Sequence, residues 1–326
     1  MSMRTNAMWS LALLLAAAWN GPAWAQTGTF PDRQLRILVG YTPGGGTDIL
    51  ARAVGQKLQE SMGKPVVIEN RPGASTVLAT ELLAKAAPDG YTMAMATSTH
   101  ALNTSFYPKL PYDPIRDFSP VIFVASIPNV LLLHPSVPAK SVNELITYAK
   151  ARPGQINYGT TGHGGPYHLA AELFNSMAGT QLVHVPYKGA APAALGLIAG
   201  EVTVMFGNAV SMMPHVKAGK IRALAVTSAK RSSTFSDLPT IAEVALPGYE
   251  FTSWFGLLAP ARVPAPIIAK LNSEVQRALD SADMKQRFAN EGGDLIGGPP
   301  ERFMDHIKAE TTRWAKVIKE ANIKIE

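Results

Sequence analysis

Cysteine is absent from the 326 residues of this chain, which excludes disulfides, thiolate metal sites and a cysteine nucleophile. Charge is sparse: Lys, Arg, Asp and Glu make up 17% of the residues and leave a formal net charge of +6. That excess is spread thinly, with no run of Lys or Arg, so nucleic acid is not an expected partner. Long hydrophobic runs are lacking too, since no segment offers the roughly 20 uninterrupted apolar residues of a membrane span. There is no Gly-x-Ser-x-Gly elbow and no His-Glu-x-x-His helix. None of the seven histidines is spaced for a metal. The chain is therefore expected to be no enzyme and to carry neither metal nor cofactor.

What is present begins with an export pattern. Arg4 supplies a positive start, Leu11 to Ala18 a short apolar run, and Ala23-Trp24-Ala25 a small-x-small cleavage pattern, so residues 1–25 read as a signal peptide cut near Ala25. The mature protein is expected to be soluble and exported.

About 300 mature residues exceed one ordinary core, so two domains are the default. Strand-like and helix-like runs alternate. Leu35 to Tyr41 reads as a strand, Thr47 to Met62 as a helix with Leu50, Val54 and Leu58 on one face, and Pro65 to Glu69 as a strand. The same order returns at Ile156 to Tyr158, Tyr167 to Met177 and Leu182 to Pro186. Further strands are expected at Tyr91 to Ala96, Val202 to Phe206, Ala223 to Thr227 and Trp254 to Leu258, with a closing helix over Pro300 to Ala321. Such units predict an α/β fold with parallel sheets and helices on both faces. The stretches Tyr107 to Pro114 and Pro247 to Tyr249 are candidate places where the chain passes between domains.

Two glycine-rich loops occupy matching strand-to-helix junctions. One is Pro43-Gly44-Gly45-Gly46-Thr47-Asp48; the other is Gly159-Thr160-Thr161-Gly162-His163-Gly164-Gly165-Pro166. A helix start exposes unpaired N–H groups at the positive end of a dipole, and glycine lets a ligand approach them. The first loop falls short of a dinucleotide fingerprint, because Ile49 stands at its third glycine position and Asp48 would repel a pyrophosphate. His163 reads either as a donor to an anion or as an exposed loop histidine. Other candidates follow strand ends, where open α/β sheets bind ligands: Thr97, Ser98 and Thr99, Tyr187 and Lys188, and Gly207 with Asn208. Tyr41, Phe206, Trp254 and Phe255 are candidates to wall a pocket, though isolated aromatics more often belong to a core.

Several motifs in order resemble one family. They are Tyr41-x-Pro43-Gly44-Gly45-x-Thr47-Asp48, Val66 to Ala74, Ala84 to Thr92, Leu110 to Pro114, Val185 to Gly189, Leu238 to Glu243 and Trp254 to Leu257. Together the chain resembles the Bug family, the TctC-like extracytoplasmic receptors of tripartite tricarboxylate transporters. The resemblance implies two Rossmann-like α/β domains with a hinge, of the type II periplasmic binding protein kind. These would be 26–127 plus 247–326 and 128–246, with crossings near Pro128 and Ala245 to Tyr249. It implies a monomer that grips a ligand carboxylate between the two loops and delivers it to membrane transporter subunits. The grip would fall on Tyr41, Gly44, Gly45, Gly46, Thr47 and Asp48, and on Gly159, Thr160, Thr161, Gly162, His163, Gly164 and Gly165. Ligand-specific contacts would come from Thr97, Ser98, Thr99, Tyr187, Lys188, Gly207, Asn208 and Trp254.

The chain departs from that pattern at Gly207, where the family commonly has an aspartate facing the cleft, and at Gly165, where a serine is usual. The loss of an acid points away from amino acids and toward a mono- or dicarboxylate, with an aromatic one included. Two rival readings are a ligand sensor for a signalling system and an exported α/β hydrolase using Ser98 or His163.

Overall fold

A computed structural model describes residues 30–326 except 108, 233, 322 and 324–326, with the side chains of 290 and 291 also left aside. The export segment 1–25 lies outside the described residues. From Arg33 to Glu326 the chain forms one compact unit.

The first αβ units follow their sequence signals closely. Strand β1 (Leu35–Val39) leads through the first glycine loop into helix α1 (Gly46–Met62), and β2 (Val66–Asn70) follows. Leu50, Val54 and Leu58, one helical turn apart, are buried on one face of α1. Gly63 ends that helix in the left-handed region at φ 67°, its N–H donating to Gln59 O at 3.0 Å. Helix α2 (Val77–Ala84), strand β3 (Thr92–Thr97) and helix α3 (Thr99–Phe106) complete the first half. A 16-residue strand β4 (Phe118–Leu133) then leads to α4 (Val142–Lys150).

The second half repeats the design with β5 (Asn157–Thr160), α5 (Pro166–Ala178), β6 (Val183–Pro186), α6 (Ala190–Ala199), β7 (Val204–Asn208), α7 (Ala209–Lys217), β8 (Arg222–Val226) and the short α8 (Ile241–Val244). The chain returns through β9 (Thr252–Pro260) and ends with α9 (Ala265–Asp280), α10 (Ala282–Glu291), β10 (Asp294–Leu295) and α11 (Pro300–Glu320).

Among the described residues all ten strands join one curled sheet, in the order β2-β1-β3-β9-β4-β7-β5-β6, with β8 and β10 also paired to β4. Within each half β1, β2 and β3, and β5, β6 and β7, run parallel as expected. The sheet is nevertheless mixed, which corrects the expectation of parallel sheets. Strands β4 and β9 run antiparallel to each other and to their neighbours. A strand that leaves one half and another that returns to it must oppose one another, and local hydrophobic pattern does not report that direction.

Strand β4 is shared. Through Pro128 it pairs with β9, and from Asn129 it pairs with β7. The first crossing therefore lies inside a strand rather than at Tyr107 to Pro114. Tyr112 from that stretch packs on His100 and Phe118 in the first core. Tyr249, from the second candidate stretch, is fully buried in the second core, and its hydroxyl donates to Ala170 O at 2.8 Å. Helix α11 serves both cores. Phe303 and Ile307 pack with Trp254 in the first, whereas Trp314 and Ile318 pack in the second core with Tyr249 and Phe251.

Candidate functional site

Where the two halves meet, three helices begin at glycines around one cavity. Gly45 is the N-cap of α1, Gly165 of α5 and Gly189 of α6, and no side chain caps any of the three. Their first residues Gly46 and Thr47, Pro166 and Tyr167, and Ala190 line the cavity. Each helix start brings N–H groups and a partial positive charge, so the convergence favours an anion.

Tyr41 and Thr97 add hydroxyls from the first half, Thr161 a hydroxyl and Asn208 an amide from the second, while Ser253 and Phe255 come from β9. None of these lining residues carries a formal charge. The cavity holds about 30 Å³ as it stands, room for little more than a water. A multi-carbon ligand does not fit the cavity at this volume.

The halves are in close contact here, and glycine permits it. A methyl group at Gly46 would sit 2.8 Å from Asn208 Oδ1, and one at Gly45 would sit 3.1 Å from Ala190 Cβ. Ser75, from the turn before α2, donates its hydroxyl hydrogen bond to His163 O of the second loop.

Buried hydrogen bonds fix the polar walls. The Tyr41 hydroxyl shares a 2.5 Å hydrogen bond with Thr99 Oγ1; burial pushes its pKa up, against the opposing effect of that bond. Tyr167 Oη accepts from Asn208 N at 2.9 Å, and burial first of all raises this phenol to about 12. Both therefore stay neutral donors at physiological pH.

The other candidates lie outside the cavity lining. Gly44 is exposed on the first loop, and its N–H donates to Asp48 Oδ2 at 3.0 Å. Asp48 is only 3% exposed and accepts also from Arg52 Nε at 2.9 Å and Asn70 Nδ2 at 2.9 Å. Burial pulls its pKa upward, but those hydrogen bonds outweigh it and hold the carboxyl below its usual range. Asp48 thus braces the loop, its charge offset by Arg52.

Ser98 Oγ accepts from Trp254 N at 3.0 Å. Trp254 is 1% exposed and packs against Phe303 and His306, and Phe206 packs on Phe174. Gly159 lies in β5 beneath Val202. Tyr187 donates to Glu201 Oε2 at 3.0 Å, and Lys188 is exposed. Position 207 faces away from the cavity: a side chain there would meet Met212 Cγ at 2.5 Å and Leu132 Cδ1 at 3.1 Å. The missing acid at Gly207 is thereby a matter of core packing, and the ligand preference read from it falls.

Behind the second loop, three imidazoles gather. His168 and His184 stack at 3.9 Å between ring centroids, and the exposed His163 stands edge-on to His184 at 4.9 Å. Gly162 N donates to Thr160 Oγ1 at 3.2 Å, Thr160 Oγ1 also bonds His184 Nε2 at 2.6 Å, and Gly164 N donates to His168 Nδ1 at 3.0 Å. Burial, then the neighbouring imidazoles, lowers His168 to about 3, and burial followed by His163 lowers His184 to about 4. His168 and His184 thus prop the loop in neutral form. Among the described residues no group of three or more His, Cys, Asp or Glu could hold a metal.

Sequence reading missed Pro166, Tyr167, Ala190 and Ser253 as cavity walls. Strand alternation held the signal for one of them. Ser253 and Phe255 share a face of β9 that is opposite Trp254, so choosing Trp254 selected the core face. A larger groove of about 680 Å³ lies on the crossing strands, with Lys230, Arg231 and Lys285 in its walls. Arg231 is paired with Glu243 and Lys285 with Asp280, and no helix of eight or more residues begins among its lining.

A curled α/β sheet with a neutral, glycine-edged cavity between its halves is the architecture of a solute-binding protein. A model of the tripartite tricarboxylate transporter family receptor, TctC, matches residues 50–323, and the chain belongs to that family. BugT of Bordetella pertussis is 36% identical over 300 residues, 91% of this chain and 92% of BugT. MatC from Rhodopseudomonas palustris, solved with bound malate, is 32% identical with a TM-score of 0.85, over 89% of this chain and 100% of that one. An R. palustris protein solved with adipate reaches 42% identity and a TM-score of 0.88, over 90% of this chain and 99% of that one. Among the described residues no helix is long and apolar enough to cross a membrane.

Proposed function

We propose that this receptor captures a small mono- or dicarboxylate in the cavity between its halves, without turning it over. In this reading the closed form is then presented to the membrane subunits of a tripartite transporter from the periplasmic side. The observation that carries the reading is the convergence of three glycine-capped helix starts on a cavity with no charged side chain in its lining. Solved relatives holding adipate and malate support the carboxylate class. Charge-assisted hydrogen bonds are worth about 1.5–3 kcal/mol each, so three or four reach the roughly 8 kcal/mol of a micromolar complex.

The two halves, 26–127 with 247–326 and 128–246, act as jaws, and β4 and β9 carry the flexing. A thermal-shift panel of mono-, di- and tricarboxylates, amino acids and neutral amides tests this. Ligand at 100 times its Kd adds about 2.7 kcal/mol to stability, which moves Tm by several degrees. At least one carboxylate is expected to raise Tm while its amide does not; a panel in which amides and acids behave alike contradicts the reading.

A further inference from the structure

The Asn208 side chain is 2% exposed and lines the cavity, with its Oδ1 against the start of α1, 2.8 Å from where a methyl group on Gly46 would stand. Its position is fixed three times over. The backbone N–H donates to Tyr167 Oη at 2.9 Å, the side-chain Oδ1 accepts from Val210 N at 3.2 Å as the cap of α7, and the backbone carbonyl accepts from Ser211 Oγ at 3.2 Å. Because Oδ1 must accept from a backbone N–H, the amide cannot be flipped, and Nδ2 is necessarily its free end. Among the described residues Nδ2 has no hydrogen-bond partner, and neither has Thr161 Oγ1 in the same cavity. A buried donor left unpaired is costly, so a ligand oxygen placed there gains what the protein alone forgoes.

We infer that Asn208 is a specificity-determining donor that selects carboxylates bearing a hydrogen-bond acceptor at that point and rejects those bearing an ammonium group there. This rests on the carboxylate reading and extends it to ligand class. An ammonium brings three donors and a charge, and the cavity lining contains no carboxylate to receive them. Facing Asn208 Nδ2, it would meet a second donor, with only neutral oxygens elsewhere in the lining to offset its lost hydration.

Asn208→Asp isolates the effect, since the carboxylate keeps the oxygen that caps α7 while replacing the donor with an anionic acceptor. Adipate with 2-aminoadipate, and malate with aspartate, are titrated calorimetrically into wild type and variant. Wild type should favour the amine-free member by on the order of 100-fold, the upper end of what one buried unpaired group costs. N208D should weaken the amine-free acid at least about tenfold and shrink the preference by a similar factor.

Wild type binding an amine-free acid with an unchanged ratio in N208D overturns the inference and leaves the carboxylate reading standing. Wild type binding neither adipate nor malate overturns both. If N208D fails to fold by circular dichroism, N208S serves, because its hydroxyl caps α7 and both donates and accepts. It should narrow the preference to a lesser degree, and no narrowing overturns the inference.

Discussion

Asp48 looks in the sequence like an obstacle to an anion, being an acid in the first turn of the helix that should receive it. The structure resolves this by spending the carboxylate on Arg52, Asn70 and the Gly44 N–H, so that the acid shapes the loop. Asp48→Ala leaves those donors behind and should cost about 1–3 kcal/mol in urea unfolding at pH 7. The pKa is depressed on folding, so this contribution is present above the ordinary carboxylate pKa and lost as pH falls through the folded value. The gap between wild type and variant should accordingly close in strong acid.

His168 and His184 work in the same direction from a different cause. Their folded values of about 3 and about 4 lie below the ordinary 6.5, so the unfolded chain takes up protons first as pH drops. Stability should therefore decline from about pH 6.5 downward, and His168→Phe should flatten that part of a melting-temperature profile. A profile equally steep in the variant would remove the imidazole stack from the cause. At this scale glycines and hydroxyls at strand ends were legible as a site region, but side-chain direction was not. Gly207 and Trp254 lie one residue from Asn208 and Ser253, and a single step along a strand changes the face.

The helices and most strands were legible as elements because their periodicity, caps and glycine stops agree. Helix α1 starts within one residue of its expected position and ends at Gly63. What periodicity could not show was the direction of β4 and β9, which local pattern leaves undetermined, nor a crossing placed inside a continuous strand. That crossing is held by Thr227. Its hydroxyl oxygen accepts from Asn129 N at 2.9 Å and approaches the carbonyls of Asn129 at 2.9 Å and Phe251 at 2.6 Å. Ser253 Oγ then donates to Asn129 Oδ1 at 2.9 Å, tying the cavity wall to the crossing. Thr227→Val keeps the shape and leaves Asn129 N unpaired, at an expected cost of about 1–3 kcal/mol. If β4 and β9 flex there, the same variant should also change the radius of gyration of the free protein in small-angle scattering. An unchanged radius with lowered stability would make Thr227 structural alone.

At the scale of the molecule, α11 runs across both cores and packs into each. Trp314 is 2% exposed, donates to Glu310 Oε2 at 2.9 Å and packs at a tilt against Phe251. Trp314→Ala should cost about 3–5 kcal/mol by chemical denaturation, within the range for emptying a buried tryptophan site. The closed arrangement, with Gly46 against Asn208 and Ser75 on His163, places both glycine loops at one cavity rather than at two separate helix starts. The measurement that bears most directly on this account is a crystal structure of the protein soaked with adipate. A carboxylate is expected between the first residues of α1 and α5, within hydrogen-bond reach of Thr161 and Asn208. Adipate found instead in the groove beside Lys230 and Arg231, with the glycine-edged cavity unchanged, would contradict it.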